Sequence, residues 1–301
     1  MTAQVIDGRK IATDLKSQVF DEIANLRSNG FHCGIATLTV GGDFASTAYA
    51  RRIGRVAAEF DVQCQHIRLD SAATQDEILA AVRQLNADPA VSGFIVMRPL
   101  PHHVDESAVF RALSPAKDIE AVHPVNAGLL ALGAPRYVPS TAASVFHILD
   151  HWLDEAGEDR REFYHRSQIV VVGRSSNVGK PALALAFERQ AAVNSVDEWA
   201  SRNGRLGWHT RRAHVLIVAA GQPGLIRAEH VRQGAVVIDV GINAVPDDRT
   251  GGVRVVGDVA FDEVLTRARA ITPVPGGVGP VTDVWLLRNA ALAARHLQAE
   301  H

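Results

Sequence analysis

Apolar and polar positions along this chain switch repeatedly between the spacing of a helix and that of a strand. Residues 9–29 read as an amphipathic helix, and Gly34–Val40 (GIATLTV) reads as a buried strand. Ser46–Phe60 reads as a helix, Gln63–Leu69 as a second strand, Gln75–Leu85 as a helix and Gly93–Met97 (GFIVM) as a third strand. This βαβαβ pattern predicts a first α/β domain. Thr141–Trp152 reads as a long helix, and the polar stretch Asp154–Arg166 marks the expected crossing into a second domain. There Gln168–Val172 (QIVVV), His214–Ala219, Ala235–Val240 and Ala268–Thr272 read as strands, and Val284–Leu297 as a helix that can return to the first domain. Trp199–Arg212 has little periodicity and reads as a loop or short irregular helix. The alternation predicts an α/β protein with largely parallel sheets.

Composition narrows the class. The chain has 301 residues, 47% of them apolar, enough for two proper cores. A formal net charge of −2 gives no signature of a nucleic-acid partner. No apolar run reaches membrane-spanning length, and MTAQVIDGRK lacks a secretory apolar region, so a cytoplasmic protein with no membrane partner is expected. Cys33 and Cys64 sit in apolar or strand-like runs and read as buried free thiols. No metal site is expected. Lysine occurs only at positions 10, 16, 117 and 180.

The first candidate chemistry follows the strand Gln168–Val172. Gly173-Arg174-Ser175-Ser176-Asn177-Val178-Gly179-Lys180-Pro181 places a glycine directly after a strand and opens a helix whose backbone N–H groups can meet a phosphate. The pattern is GxSxxxGxP rather than GxGxxG, and an ordinary βα turn fits the spacing as well. Asp197 lies 24 residues after Gly173, at the end of the apolar stretch Ala191–Val196. An acid there accepts bonds from a ribose and repels a 2′-phosphate, which favours NAD over NADP. Glu198 adds to that repulsion, whereas Arg174 can meet a 2′-phosphate and pulls the other way. A solvated strand-end turn also accounts for the acid.

Several motifs then converge. VIDG (residues 5–8), KDIEAVHP (117–124), Asn126, Gly128, VVVGRSSNVGKP (170–181), VIDVGIN (237–243, with Val236 before it), VVGDV (255–259) and ITPVPGGVGP (271–280) occur in this order. Together they resemble the bifunctional methylenetetrahydrofolate dehydrogenase/cyclohydrolase family over nearly the whole chain. The resemblance implies an N-terminal three-layer α/β substrate domain (residues 1–150 with the C-terminal helix 284–299) and a Rossmann-type dinucleotide-binding domain (residues 151–283). It also implies a homodimer, a folate cleft between the domains, and NAD or NADP as cofactor. The implied chemistry is oxidation of 5,10-methylenetetrahydrofolate followed by hydrolysis of the methenyl product. Carried onto this sequence, the substrate contacts are Tyr49, Ile53, Met97, Pro99, Leu100, Glu120, Gly276, Gly277 and Pro280. The cofactor contacts are Gly173, Arg174, Ser175, Ser176, Val178, Gly179, Asp197, Ile242 and Thr282.

The departures matter most. The family places a tyrosine and a lysine four residues apart on one helix, over the same face. Tyr49 matches the tyrosine, but the lysine position is Ile53, which has no proton to give. Arg52 can supply charge there but is a poor proton shuttle. The glutamine before Pro-Leu-Pro aligns with Met97, and the pterin-binding aspartate with Glu120, one methylene longer. Pro-Cys-Thr-Pro reads Pro139-Ser140-Thr141-Ala142, a usually small apolar position is Asp283, and His-Ser-Arg/Lys reads Asp197-Glu198-Trp199. Tyr49, Arg52, Glu120 and Asp283 are therefore the candidate catalytic residues. Hydride transfer depends chiefly on positioning, whereas hydrolysis needs proton transfer. The expectation is a dehydrogenase with weak or lost cyclohydrolase activity. Two alternatives stand beside it: a methylene transferase acting on an amine or carbon nucleophile, and a non-catalytic folate or nucleotide binder.

Overall fold

The structure is a computed structural model and describes residues 2–247 and 251–299. In chain order its first elements are β1 (Gln4–Val5), α1 (Gly8–Ser28), β2 (Gly34–Val40), α2 (Phe44–Glu59), β3 (Gln63–Leu69), α3 (Gln75–Ala87) and β4 (Gly93–Val96). Next come α4 (Glu106–Ala112), α5 (Pro124–Ala131), α6 (Ser140–Glu155), α7 (Arg160–Arg166), β5 (Gln168–Val172), α8 (Gly179–Glu188) and β6 (Ala192–Val196). The rest are α9 (Glu198–Arg202), α10 (Leu206–Thr210), β7 (Val215–Val218), β8 (Val236–Asp239), β9 (Asn243–Asp247), β10 (Gly252–Val256), α11 (Phe261–Val264), β11 (Ala270–Ile271) and α12 (Val278–Ala299). Among the described residues no helix is long and apolar enough to cross a membrane.

The chain separates into two compact units: Leu15–Ser140 with the chain from Asp283 onward, and the chain up to Asp14 with Thr141–Thr282. These limits differ from a division at residue 150. The first residues join the second unit because β1 is hydrogen-bonded in parallel to β11. The stretch 154–166, expected as a polar crossing, carries the helix α7, capped by Asp159.

The first unit is built on a parallel sheet of order β3-β2-β4. All seven residues of the central strand β2 are buried, as expected of a parallel strand covered on both faces. Leu38, Ile78, Val82, Phe94, Val109 and Phe110 form one apolar core of this unit. Thr74 and Glu77 close a reciprocal capping box that starts α3. The C-terminal part of α12 belongs to this unit, and Arg288 on it pairs with Glu22 of α1 at 3.1 Å.

The second unit has a six-stranded sheet of order β1-β11-β8-β7-β5-β6, parallel at every pairing. Val170, Leu216, Val218, Val237 and Ile271 lie in its core. A separate antiparallel pair, β9 with β10, has no counterpart in the apolar pattern, because β10 is exposed at four of its five positions. The irregular stretch 199–212 contains two single-turn helices, α9 and α10. Cys33 and Cys64 are free and half-buried rather than buried; burial still pushes the Cys33 thiol up to about 12.

Candidate functional site

In the first unit, α2 sets the geometry. Asp43 caps its N-terminus by accepting from the Ser46 backbone N–H at 2.8 Å. The Ser46 hydroxyl lies 2.9 Å from the Arg98 carbonyl, which ties this end of α2 to the segment after β4. Tyr49 and Ile53 follow on α2 one turn apart, Tyr49 half-buried and Ile53 only 1% exposed. Met97 is buried at the end of β4, Leu100 is half-buried and Pro99 is exposed. Arg98 turns away, pairing with Glu106 at 2.8 Å and stacking over Phe110.

The KDIEA segment divides its side chains among distinct tasks. The Lys117 ammonium donates to the carbonyls of Leu85 and Asp88 at 3.2 and 2.6 Å, closing the end of α3. Burial holds its pKa below the ordinary lysine value. Asp118, fully buried, accepts from the backbone of Val122 and His123 and from Asn126 Nδ2 at 2.9 Å. Glu120 is held by the start of α6, where the Ser140 hydroxyl donates to Oε1 at 2.5 Å. Burial raises the Glu120 carboxyl to about 7, against the lowering effect of bonds from the Ser140 hydroxyl and N–H. The nearby Asp118 carboxylate also raises it.

Arg52 and Asp283 close the same region. Arg52 Nη2 and Nε lie 2.6 and 2.8 Å from Asp283 Oδ2. Burial raises the Asp283 carboxyl above its ordinary value while Arg52 opposes the shift. Burial, then the carboxylates of Glu120 and Asp283, push the Tyr49 hydroxyl far above the usual phenol range, and Arg52 opposes them. Tyr49, Arg52, Glu120 and Asp283 thus share one electrostatic neighbourhood.

In the second unit the turn after β5 needs its glycines. Gly173 has φ +115°, and a side chain there would meet the Ala219 carbonyl oxygen at 2.1 Å. A side chain on Gly179 would meet the Gly173 carbonyl oxygen at 2.2 Å. The Ser175 hydroxyl accepts from the backbone of Val178 and Gly179 as α8 begins, while Ser176 is exposed. Such a turn leaves room for a phosphate against backbone N–H groups. Asp197 ends β6 and pairs with Arg174 at 2.7 Å. Arg174 also donates to the Ser195 hydroxyl and carbonyl at 3.0 and 3.2 Å. Ile242 is exposed, and the buried Thr282 donates its hydroxyl to the Val278 carbonyl. Gly276 has φ +108° and accepts from the Gly8 N–H at 2.9 Å, so VIDG meets PVPGGVGP directly. Gly277 is buried and Pro280 half-buried on the same segment.

Several contributors were not anticipated. Asp239 accepts from the backbone of Gly241, Asp258 and Val259. Asp258 accepts from the backbone of Ala220 and Gly221 and from Asn243. Burial raises the Asp239 carboxyl to about 7. These two buried acids clamp the loops at the C-terminal ends of β7 and β8, where ligands bind in open α/β sheets. An acid ending each apolar run, in VID and VGD, is the signal that could have found them. In the first unit Asn289 is buried and donates to the carbonyls of Ile119 and Val138, both at 2.8 Å; nothing local in the sequence marks it.

Comparison with known proteins adds an independent line. Residues 6–120 match the catalytic domain of tetrahydrofolate dehydrogenase/cyclohydrolase, and residues 139–298 match its NAD(P)-binding domain. The chain is 55% identical over 301 residues to bifunctional protein FolD 3 of Rubrobacter xylanophilus, covering 100% of this chain and 95% of that protein. It is 39% identical to bifunctional protein FolD of Geobacillus thermodenitrificans over 100% of both chains. Among solved structures, Trypanosoma brucei methylenetetrahydrofolate dehydrogenase-cyclohydrolase, complexed with NADP cofactor and inhibitor, superposes with TM-score 0.89. It shares 34% identity and covers 99% of each chain. The Campylobacter jejuni bifunctional enzyme gives TM-score 0.87 at 31% identity, over 98% of this chain and 99% of that one. The chain belongs to the tetrahydrofolate dehydrogenase/cyclohydrolase family.

Proposed function

We propose that this chain is a folate-dependent one-carbon enzyme that oxidises 5,10-methylenetetrahydrofolate with a nicotinamide dinucleotide, and that its hydrolysis of the methenyl product is weak or lost. The reading rests on Ile53, an apolar, buried side chain one helical turn from Tyr49. Arg52 does not replace the missing amine, because its guanidinium is engaged by Asp283 and does not release protons near neutrality. Lys117 is no substitute either, since its ammonium is spent on backbone carbonyls.

The turn Gly173–Gly179 suits a pyrophosphate, with Ser175, Ser176 and Val178 along it, and Ile242 and Thr282 complete the proposed cofactor contacts. When bound, the nicotinamide accepts a hydride. Asp197 favours NAD, and Arg174 is already held by Asp197 and Ser195 rather than free for a 2′-phosphate. Tyr49, Ile53, Met97, Pro99, Leu100, Glu120, Gly276, Gly277 and Pro280 are the proposed folate contacts. Their task is to orient the methylene and exclude water. The proposed homodimer is testable by light scattering.

The deciding experiment is incubation with 5,10-methylenetetrahydrofolate and NAD or NADP, with mass analysis of every folate product. Reduced coenzyme should form one for one with methenyltetrahydrofolate, and 10-formyltetrahydrofolate no faster than in enzyme-free buffer. Formyl product at the rate of coenzyme reduction overturns the lost hydrolysis. The Glu120 carboxyl near 7 favours a second reading, methylene transfer to an amine or carbon nucleophile with Glu120 handling the proton. With a primary amine added as acceptor, methylene consumption without coenzyme turnover and with an amine adduct formed would select it.

A further inference from the structure

Glu120 and Ser140 are 20 residues apart, yet three separate contacts bring their segments together. The Tyr137 hydroxyl donates to the Ala116 carbonyl at 2.6 Å. Asn289, reaching in from α12, gives one amide hydrogen to Ile119 and the other to Val138, each 2.8 Å away. Those acceptors stand one residue before Glu120 and two before Ser140. The last contact is the Ser140 hydroxyl on Glu120 Oε1, at 2.5 Å. Ser140, Tyr137 and Asn289 are all buried, so these ties have little competition from water. The backbone is committed as well: Ala121, next to Glu120, has φ +50°, a region non-glycine residues seldom occupy. Strain beside a side chain held by such ties is the pattern expected where one orientation of that side chain is needed.

An ionised carboxylate can accept two parallel N–H bonds from an aminopyrimidine edge, but a protonated one has lost half of that acceptor face. Burial and the nearby Asp118 carboxylate oppose the ionisation of Glu120, and the Glu120 carboxylate in turn helps to hold the Tyr49 hydroxyl in its neutral form. Among the described residues, the hydroxyl and the N–H of Ser140 are what favour the ionisation of Glu120 directly. We propose that Ser140 is a positioning residue that keeps the Glu120 carboxylate aimed and available as the acceptor for the aminopyrimidine edge of the folate. This rests on the folate reading above. It assigns Ser140 control over the pH range in which folate binds, without contact between Ser140 and the reacting atoms.

The test measures tetrahydrofolate binding by calorimetry from pH 6 to 9, without nicotinamide, in the parent chain, Ser140→Ala, Ser140→Thr and Glu120→Gln. In parallel the carboxyl carbons of glutamate are isotopically labelled and the Glu120 resonance, identified by its loss in Glu120→Gln, is titrated without ligand. Parent affinity should fall as pH drops through the Glu120 ionisation. Ser140→Ala should move that fall upward by about one pH unit, since a hydrogen bond to a charged group accounts for roughly tenfold or more. The carboxyl resonance should move with it, Ser140→Thr should restore both, and Glu120→Gln should bind weakly with no pH dependence over this range. A Ser140→Ala chain whose affinity drops by the same factor at every pH overturns the proposal, as does an unmoved carboxyl titration. Failure of the parent chain to bind tetrahydrofolate at any pH, with the resonance still shifting in Ser140→Ala, sinks the folate reading and leaves Ser140's control of Glu120 standing.

Discussion

Arg52 Nη2 lies 2.6 Å from Asp283 Oδ2 across 231 residues of sequence, and Arg52 Nε lies 2.8 Å from the same oxygen. The Asp283 side chain is only 12% exposed, so its charge depends on this partner. Its carboxyl sits above its ordinary value because burial outweighs Arg52, with Glu59 adding to the rise and Arg55 opposing it. A raised acid holds its proton more tightly when folded. It therefore favours folding below its unfolded pKa and costs stability as pH rises through its folded one. Arg52→Ala should enlarge that cost, lowering stability by about 1–2 kcal/mol near pH 7 and by little near pH 4, the half-exposed arginine limiting the effect. Thermal melts across that range check it. Adding Asp283→Leu should return most of the loss, and a deficit of constant size at every pH would exclude this account.

The Arg174–Asp197 pair predicts coenzyme choice. At 2.7 Å, and with Ser195 also bonded, the arginine is held at the end of β6. A 2′-phosphate would have to displace Asp197 and sit beside its charge. The parent chain should prefer NAD. Asp197→Ser should release Arg174 Nη1 from its carboxylate partner, with the Ser195 bonds left in place, and move the ratio of kcat/KM for NADP over NAD upward by about tenfold or more. Steady-state kinetics with both coenzymes measure this; an unchanged ratio would mean that Asp197 does not face the ribose.

What the sequence discloses follows from where burial is complete. GIATLTV and QIVVV read as strands because almost every residue in them is buried on both sheet faces. The β9–β10 pair is hidden for the opposite reason, since Gly252–Val255 are exposed and carry no apolar alternation into a core. The two residues of β1 are too few to show a period, and only their register with Ala270 and Ile271 makes them a strand. The candidate site divides the same way. Tyr49, Ile53 and Glu120 stand out against a motif, but what Glu120 experiences depends on Ser140 and Asn289, which only folding brings near. Asp239 and Asp258 are not legible as a site in the sequence, because an acid after an apolar run looks like a strand end until its backbone partners are seen.

Ile53→Lys tests the missing amine directly. The position is 1% exposed, so a lysine there loses hydration and its pKa falls toward neutrality. Stability should drop by about 1–3 kcal/mol. Hydrolysis of methenyltetrahydrofolate, read as loss of its absorbance, should rise by about tenfold or more over the parent, within the range positioned acid–base groups supply. Hydride transfer should change by no more than about threefold. Met97→Gln in the same chain should raise hydrolysis further by giving the buried ammonium an amide partner. Hydrolysis unmoved in a folded Ile53→Lys, Met97→Gln double variant would show that the rest of this region is no longer arranged for it.

Ala121 gives the clearest stability prediction. Its φ of +50° places Cβ against the backbone in a conformation that costs a non-glycine residue about 1–2 kcal/mol. The Ala121 N–H donates to the Asp118 carbonyl at 3.2 Å, so the turn cannot relax without breaking that bond and turning Glu120 away from Ser140. Ala121→Gly removes the steric cost and returns about 0.5–1 kcal/mol to the unfolded chain as entropy. The net expectation is a gain of about 0.5 kcal/mol, a rise of roughly 1–2 °C in Tm. Ala121→Val should instead lose more than about 1 kcal/mol, because a β-branched side chain tolerates this region worst. Calorimetry of the two variants decides it: a lower Tm for Ala121→Gly than for the parent would show that the turn at Glu120 is not under strain.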